Sequence, residues 1–188
     1  MYNPVAILPR KTNPRKQAGL MKQLLLIVIF SAFFAVHGAA AQTEKQIAAI
    51  RTTVNLINKN ATQYSKTTKD VDGISLEGTE ATFFASGRGI QKINVNSYGE
   101  TYKASTELYF QGEEVIFAFQ KISNYDTQIG LDKPVKVVKV TEQRFYFSGG
   151  SLIRFLDGKV SVKKTSKRWS DREAEILALK KKLLEVYP

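Results

Sequence analysis

The spacing of apolar positions divides the chain into four successive stretches. Leu24 to Val36 is an unbroken run of 13 uncharged residues. Ile47, Ile50, Val54 and Ile57 then recur at helical spacing, with Lys45, Arg51, Lys59 and Asn60 off that stripe. Thr43-Glu44-Lys45-Gln46 fits a capping box, with Thr43 as N-cap and Gln46 reaching back. This pattern predicts a helix from 43 to about 66 and a polar loop from Thr67 to Gly78. Beyond it, aromatic and β-branched runs alternate with Gly-centred turns, as consecutive hairpins require. A last helical stripe follows, Ile176, Leu179, Leu183 and Val186, opened by a second capping box at Ser170-Asp171-Arg172-Glu173.

The hairpin segment carries an internal repeat. Glu107-Leu108-Tyr109-Phe110-Gln111-Gly112-Glu113-Glu114-Val115-Ile116 aligns without gaps on Arg144-Phe145-Tyr146-Phe147-Ser148-Gly149-Gly150-Ser151-Leu152-Ile153. An earlier copy, Thr82-Phe83-Phe84-Ala85-Ser86-Gly87-Arg88-Gly89-Ile90, is expected to be one residue longer in its turn. The third position after each turn is Lys92, Phe117 or Arg154, so the copies share register more than chemistry. Asp157-Gly158 signals a further tight turn before a short strand over Lys159–Lys163.

The fold class expected is therefore α+β. An N-terminal helix precedes an antiparallel meander of six to seven strands built from three hairpin repeats, and a C-terminal helix packs on the sheet. The simplest arrangement puts both helices on one side of the sheet, with a small barrel as the alternative. The aromatic-aromatic-x-Gly-x-x-aliphatic hairpin, over about residues 80–160, resembles the exported hairpin-repeat proteins of Gram-negative bacteria, most of them uncharacterised. It is distantly similar to MORN-type repeats, although the closely spaced second glycine of those units is missing. The resemblance assigns no functional residues.

The start of the chain reads as an address. Met21-Lys22-Gln23, the apolar run and small residues at Ala39 and Ala41 are the three parts of a secretory signal peptide, cleaved before Gln42. The apolar run is shorter than the roughly 18–20 residues that span a bilayer, so no transmembrane span is expected in the mature form. Residues 1–20 read as a disordered leader or a mis-assigned start, 21–41 as signal peptide and 42–188 as a single α+β domain. The protein is expected to be exported, to the periplasm or the exterior. The leader holds five bases and no acid, so a net charge of +11 falls to +6 on its removal. That excess is a mild bias towards anionic surfaces, and no nucleic-acid partner is expected.

Composition then narrows the chemistry. Cysteine is absent and the single histidine, His37, lies in the segment expected to be removed. Ser-His-Asp and Cys-His nucleophiles and His- or Cys-ligated zinc are thereby excluded from the expected mature chain. Gly87-Arg88-Gly89 sits in a hairpin turn, not between strand and helix, so it is no dinucleotide fingerprint. Asp70-Val71-Asp72-Gly73 resembles the start of a calcium loop, but Ile74 and Ala81 stand where further ligands belong, and an Asx-type turn explains it. No metal and no cofactor is expected. Glu107, Glu113, Glu114 and Glu142 are the acids available for a carboxylate-pair glycan hydrolase, and they read more simply as solvated strand and turn charges.

The densest positive patch is Lys163, Lys164, Lys167, Arg168, Trp169 and Arg172, with Lys159 before it. It is the candidate contact for an anionic envelope component: lipid head group, acidic glycan or acidic protein. Lysines at a sheet edge also guard against aggregation, which accounts for the same residues without a ligand. The aromatic strands offer a second surface, since a helix-free sheet face could bind an apolar or sugar ligand. The function expected is that of an exported, non-enzymatic binding or cell-envelope accessory protein. The alternatives are a small carboxylate-dependent glycan hydrolase and a structural, self-associating module.

Overall fold

The computed structural model describes residues 41–130 and 134–187. Ala39 of the expected cleavage site, the apolar run and the leader lie outside the described residues. Ala41 and Gln42 are exposed and already helical. Lys45–Pro188 form one compact unit; of the other, residues 1–44, only 41–44 are described.

Helix α1 occupies residues 41–59 and passes through a 3-10 turn, Ala61–Gln63, into the sheet. Strands β1 (Ser65–Asp70), β2 (Thr79–Ser86), β3 (Gly89–Gly99) and β4 (Tyr102–Gln111) are followed by β5 (Glu114–Tyr125), β6 (Val137–Ser148), β7 (Ser151–Asp157) and β8 (Val160–Ser161). Helix α2, Lys167–Val186, ends the described chain. Each strand pairs antiparallel with the next in chain order, and β1 and β8 each have one neighbour. The sheet is thus an open meander of eight strands, one more than the upper expectation, and not a barrel.

The additional strand is β1, where the sequence predicts a loop. Ser-Lys-Thr-Thr-Lys-Asp has no apolar alternation because β1 is an edge that buries neither face and pairs only with β2. Two helix starts also differ from expectation. Residues 41 and 42 are helical, so Thr43 is inside α1, and α1 stops at 59, ahead of the 3-10 turn that leads into β1. Ser166, not Ser170, caps α2: its Oγ accepts from Trp169 N at 3.3 Å. Glu173 turns away from the cap and accepts from the backbone N–H of Leu152 on β7, at 2.7 Å.

Three hairpins share one local geometry. Ser86 pairs with Gly89, Gln111 with Glu114 and Ser148 with Ser151, so all three turns hold two residues and the first is no longer than the others. Each register then slips at the aligned position, between Phe84 and Ala85, Tyr109 and Phe110, or Tyr146 and Phe147. The unpaired residues are Gln91, Ile116 and Ile153, one β-bulge per hairpin. A bulge puts two successive side chains on one face, so Val115-Ile116-Phe117-Ala118 points to the two faces in the order one, two, two, one.

The two faces carry separate cores. Phe83, Ile93, Leu108, Phe110, Phe145, Phe147, Leu152 and Phe155 pack with Trp169, Ile176 and Leu183 of α2. Tyr109, Ile116 and Tyr146 pack with Ile47, Ile50 and Ile57 of α1. Tyr146 lies between Phe145 and Phe147 in sequence and must point the other way, so the helices take opposite faces. The expectation of both helices on one side fails for this reason, and no face is wholly free of helix. No helix among the described residues is long and apolar enough to cross a membrane.

Candidate functional site

Strand register arranges the α1 face in rows. The row beneath α1 runs Phe84, Lys92, Tyr109, Phe117, Tyr146 and Arg154 across β2 to β7. The next runs Thr82, Asn94, Glu107, Phe119, Arg144 and Leu156. A third holds Glu80, Asn96, Ser105, Lys121 and Glu142. The isoleucines of α1 pack on side chains of the first row and on bulge residues, while the second and third rows are largely half-buried to exposed. That border between helix and open sheet is where polar groups gather.

At its β3–β4 end lies a closed polar cluster. Lys92 Nζ sits 2.7 Å from Glu107 Oε1 and 3.3 Å from Asn58 Oδ1, and 4.9 Å from the centre of the Tyr109 ring. The Tyr109 hydroxyl lies 2.8 Å from Glu107 Oε2 and 3.0 Å from Asn58 Oδ1. It has one proton to give, and the charged carboxylate is the nearer acceptor. Burial first, then the hydrogen bond and charge of Glu107, push the Tyr109 phenol well above the usual tyrosine range, against a smaller opposite effect of Asn58. Lys92 and Tyr109 are both buried, so this cluster fastens α1 to the sheet. Beside it Asn94 Oδ1 is buried without a hydrogen-bond partner among the described residues.

At the β5–β6 end the border opens into a pocket of about 250 Å³ lined by Arg51, Val54, Asn55, Phe117, Arg144 and Tyr146. Arg51 Nε donates to the Tyr146 hydroxyl at 3.4 Å, and its guanidinium lies 5.6 Å over that ring. Arg144 donates to Glu142 at 2.9 Å and to the Gly158 carbonyl at 3.3 Å, with its guanidinium 5.1 Å over Phe119. The Phe117 and Tyr146 rings, 4.9 Å apart, contribute its apolar surface.

The basic segment is not brought together as one surface. Lys163 and Lys164 are exposed ahead of α2, and Lys167 pairs with Asp171 at 2.6 Å. Arg168 pairs with Asp157 at 2.6 Å and lies over Phe155, while Trp169 is buried in the α2-side core. Arg172 bonds Gln120, Gln143 and Glu175 and stacks on Phe145, with its Nε buried and unpaired among the described residues. Burial opposes the charged form of Asp157, but hydrogen bonds from Arg168 and Gln143 and the charges of Arg168 and Lys139 hold its carboxyl below the usual range. The last three basic or aromatic residues therefore dock α2 on the sheet, and Lys163 and Lys164 are left facing solvent.

The four candidate acids also have separate settings. Glu107 is bound to Lys92 and Tyr109, Glu142 to Arg144, and Glu113 and Glu114 are exposed at a hairpin tip. Asp70 ends β1 and Asp72-Gly73 forms the turn after it, with Gly73 at φ 67 and its carbonyl accepting from Lys182 at 2.9 Å. No group of three or more metal-ligating side chains occurs among the described residues. Arg51, Asn55, Asn58, Lys92 and Arg144 escape a sequence reading because they are single polar positions on separate elements. The available signal was a cation at Lys92 and at Arg144, each followed by an apolar residue, Ile93 or Phe145, within a strand. No known family model, curated protein or solved structure matches the chain.

Proposed function

We propose that this is an exported, non-enzymatic binding protein of the cell envelope, whose ligand lies on the uncovered half of the α1 face. The observation that carries this reading is the second row, Asn94, Glu107, Phe119 and Arg144, half-buried beside α1 and continuous with the Arg51–Arg144 pocket. Rigid strands hold these groups at fixed spacing, which suits recognition. Export rests on the signal pattern at 21–41, and the three bulged hairpins are read as copies of one unit. The hydrolase alternative has less support, since Glu107 and Glu142 are each bound to a cation and Glu113 and Glu114 lie apart from them at a hairpin tip.

Self-association has one specific observation behind it. Val137, Val138 and Val140 are exposed on the part of β6 that β7 does not pair. An open edge of this kind invites another strand, although Lys136 and Lys139 guard it. Concentration-independent monomer mass would count against that reading.

The test is photo-cross-linking in the native envelope from position 121, an exposed site on the open half, with position 175 on the outer side of α2 as control. The binding reading predicts adducts from 121 and few from 175, on a chain beginning at Gln42. Equal capture from both positions would remove the assignment to this face, and an intact Leu24–Val36 segment would overturn export.

A further inference from the structure

We infer that the pocket between α1 and strands β5 and β6 takes a carboxylate-bearing sugar ring, the chemistry of a uronic acid in an acidic glycan. This rests on the binding reading above and names its ligand class. Two guanidiniums from different elements, Arg51 on α1 and Arg144 on β6, line one pocket with the Asn55 amide. An arginine presents a planar fork of N–H donors that matches a carboxylate in two parallel hydrogen bonds. The Tyr146 hydroxyl takes only Nε of Arg51. Glu142 and the Gly158 carbonyl hold Arg144 in place, and Phe119 supports its plane. Glu142 also neutralises much of one positive charge, so the pocket suits a single negative group better than a multiply charged one.

The remaining lining selects what carries that group. Half-buried Phe117 presents ring surface on the sheet side, backed by the buried Tyr146 ring, and Val54 adds an apolar contact from α1. Free phosphate satisfies the arginines but leaves this surface wet. A neutral sugar covers the rings but leaves the Arg51 guanidinium without a counter-charge, Arg144 already having Glu142. A ring with an apolar face, hydroxyls for Asn55 and one carboxylate satisfies all of them. A space of about 250 Å³ holds one such ring, so a longer glycan would continue along the open second and third rows.

The experiment titrates the ¹⁵N-labelled chain with three probes: a galacturonic acid trisaccharide, the neutral galactose trisaccharide and inorganic phosphate. The uronate trisaccharide is expected to shift amides at 51–58, 117 and 144–146 and to bind at least tenfold more tightly than either other probe. Raising NaCl from about 50 to 500 mM should weaken it several-fold. Arg51→Gln, at an exposed helix position, should weaken it about tenfold with the amide spectrum away from the pocket unchanged, and Arg51→Lys less. Equal binding of the neutral trisaccharide, indifferent to salt, would overturn the carboxylate but leave the pocket a binding site. Phosphate binding as tightly as uronate would overturn the ring contact. No shift at the pocket with any probe at several millimolar would overturn the inference, whereas the binding reading is judged separately, by envelope cross-links from position 121 against those from 175.

Discussion

Tyr109 shows how one side chain serves both the apolar core and the polar cluster. Its ring belongs to the α1-side core, and its hydroxyl gives Glu107 a hydrogen bond that helps hold the carboxylate against Lys92. Tyr109→Phe should cost about 1–2 kcal/mol in urea unfolding, the usual penalty for a buried hydrogen bond to a charged group. Glu107→Gln should cost more, about 2–4 kcal/mol, because it leaves the largely buried Lys92 ammonium without its counter-charge. The phenol also sets a pH dependence. Its native pKa is raised, so the unfolded chain loses this proton first, near the ordinary value of about 10. Stability from the neutral phenol is therefore whole below that pH and falls as pH rises above it. Subtracting Tyr109→Phe from the parent protein between about pH 9 and 11 isolates this contribution from other tyrosines and lysines; a difference that stays flat would refute it. At the opposite sign, Asp157 contributes stability above about pH 4 that is lost as pH falls, since its native pKa is lowered.

At the scale of elements the caps discriminate between two readings of one sequence. Ser166-Lys167-Arg168-Trp169 and Ser170-Asp171-Arg172-Glu173 both begin with a serine, and only the second has the Glu of a capping box. The structure uses the first, because Glu173 is engaged by the Leu152 N–H. Ser166→Ala should destabilise by about 1 kcal/mol and Ser170→Ala by less than about 0.5 kcal/mol, measured by thermal or urea unfolding. The reverse order would restore the sequence-based cap. Local patterns were thus enough to place both helices apart from their first residues, the three hairpin turns without their bulges, and the antiparallel order, since each is set within a few residues. Three features were not legible. Strand β1 buries nothing, so its presence depends on the neighbouring edge of β2. The side each helix takes was hidden because the strands are apolar on both faces. The Lys92–Glu107–Tyr109–Asn58 cluster needs the β3–β4 register and the end of α1 together, and no one segment carries it. The 163–172 run misleads in the opposite way: contiguous charge in sequence becomes separate duties in space.

For the whole molecule, the two cores share one set of strands, and that makes them one folding unit. Leu108 and Tyr109 are neighbours on β4, as are Phe145 and Tyr146 on β6, yet each pair divides between the α2 and α1 sides. Losing packing on one face frees the strand that holds the other. Ile47 and Leu183 are both fully buried, one under α1 and one under α2. Ile47→Ala and Leu183→Ala should each cost about 2–5 kcal/mol, as for other large-to-small core changes. Trp169 is the only tryptophan and sits in the α2-side core, so its fluorescence reports that side alone. A coupled sheet requires Ile47→Ala, made on the far face, to lower the Trp169 midpoint as much as it lowers the midpoint seen by far-ultraviolet dichroism. If Trp169 kept its parent midpoint while helix signal was lost earlier, α1 would be a separable cover, and the pocket it helps to line could open without unfolding the sheet.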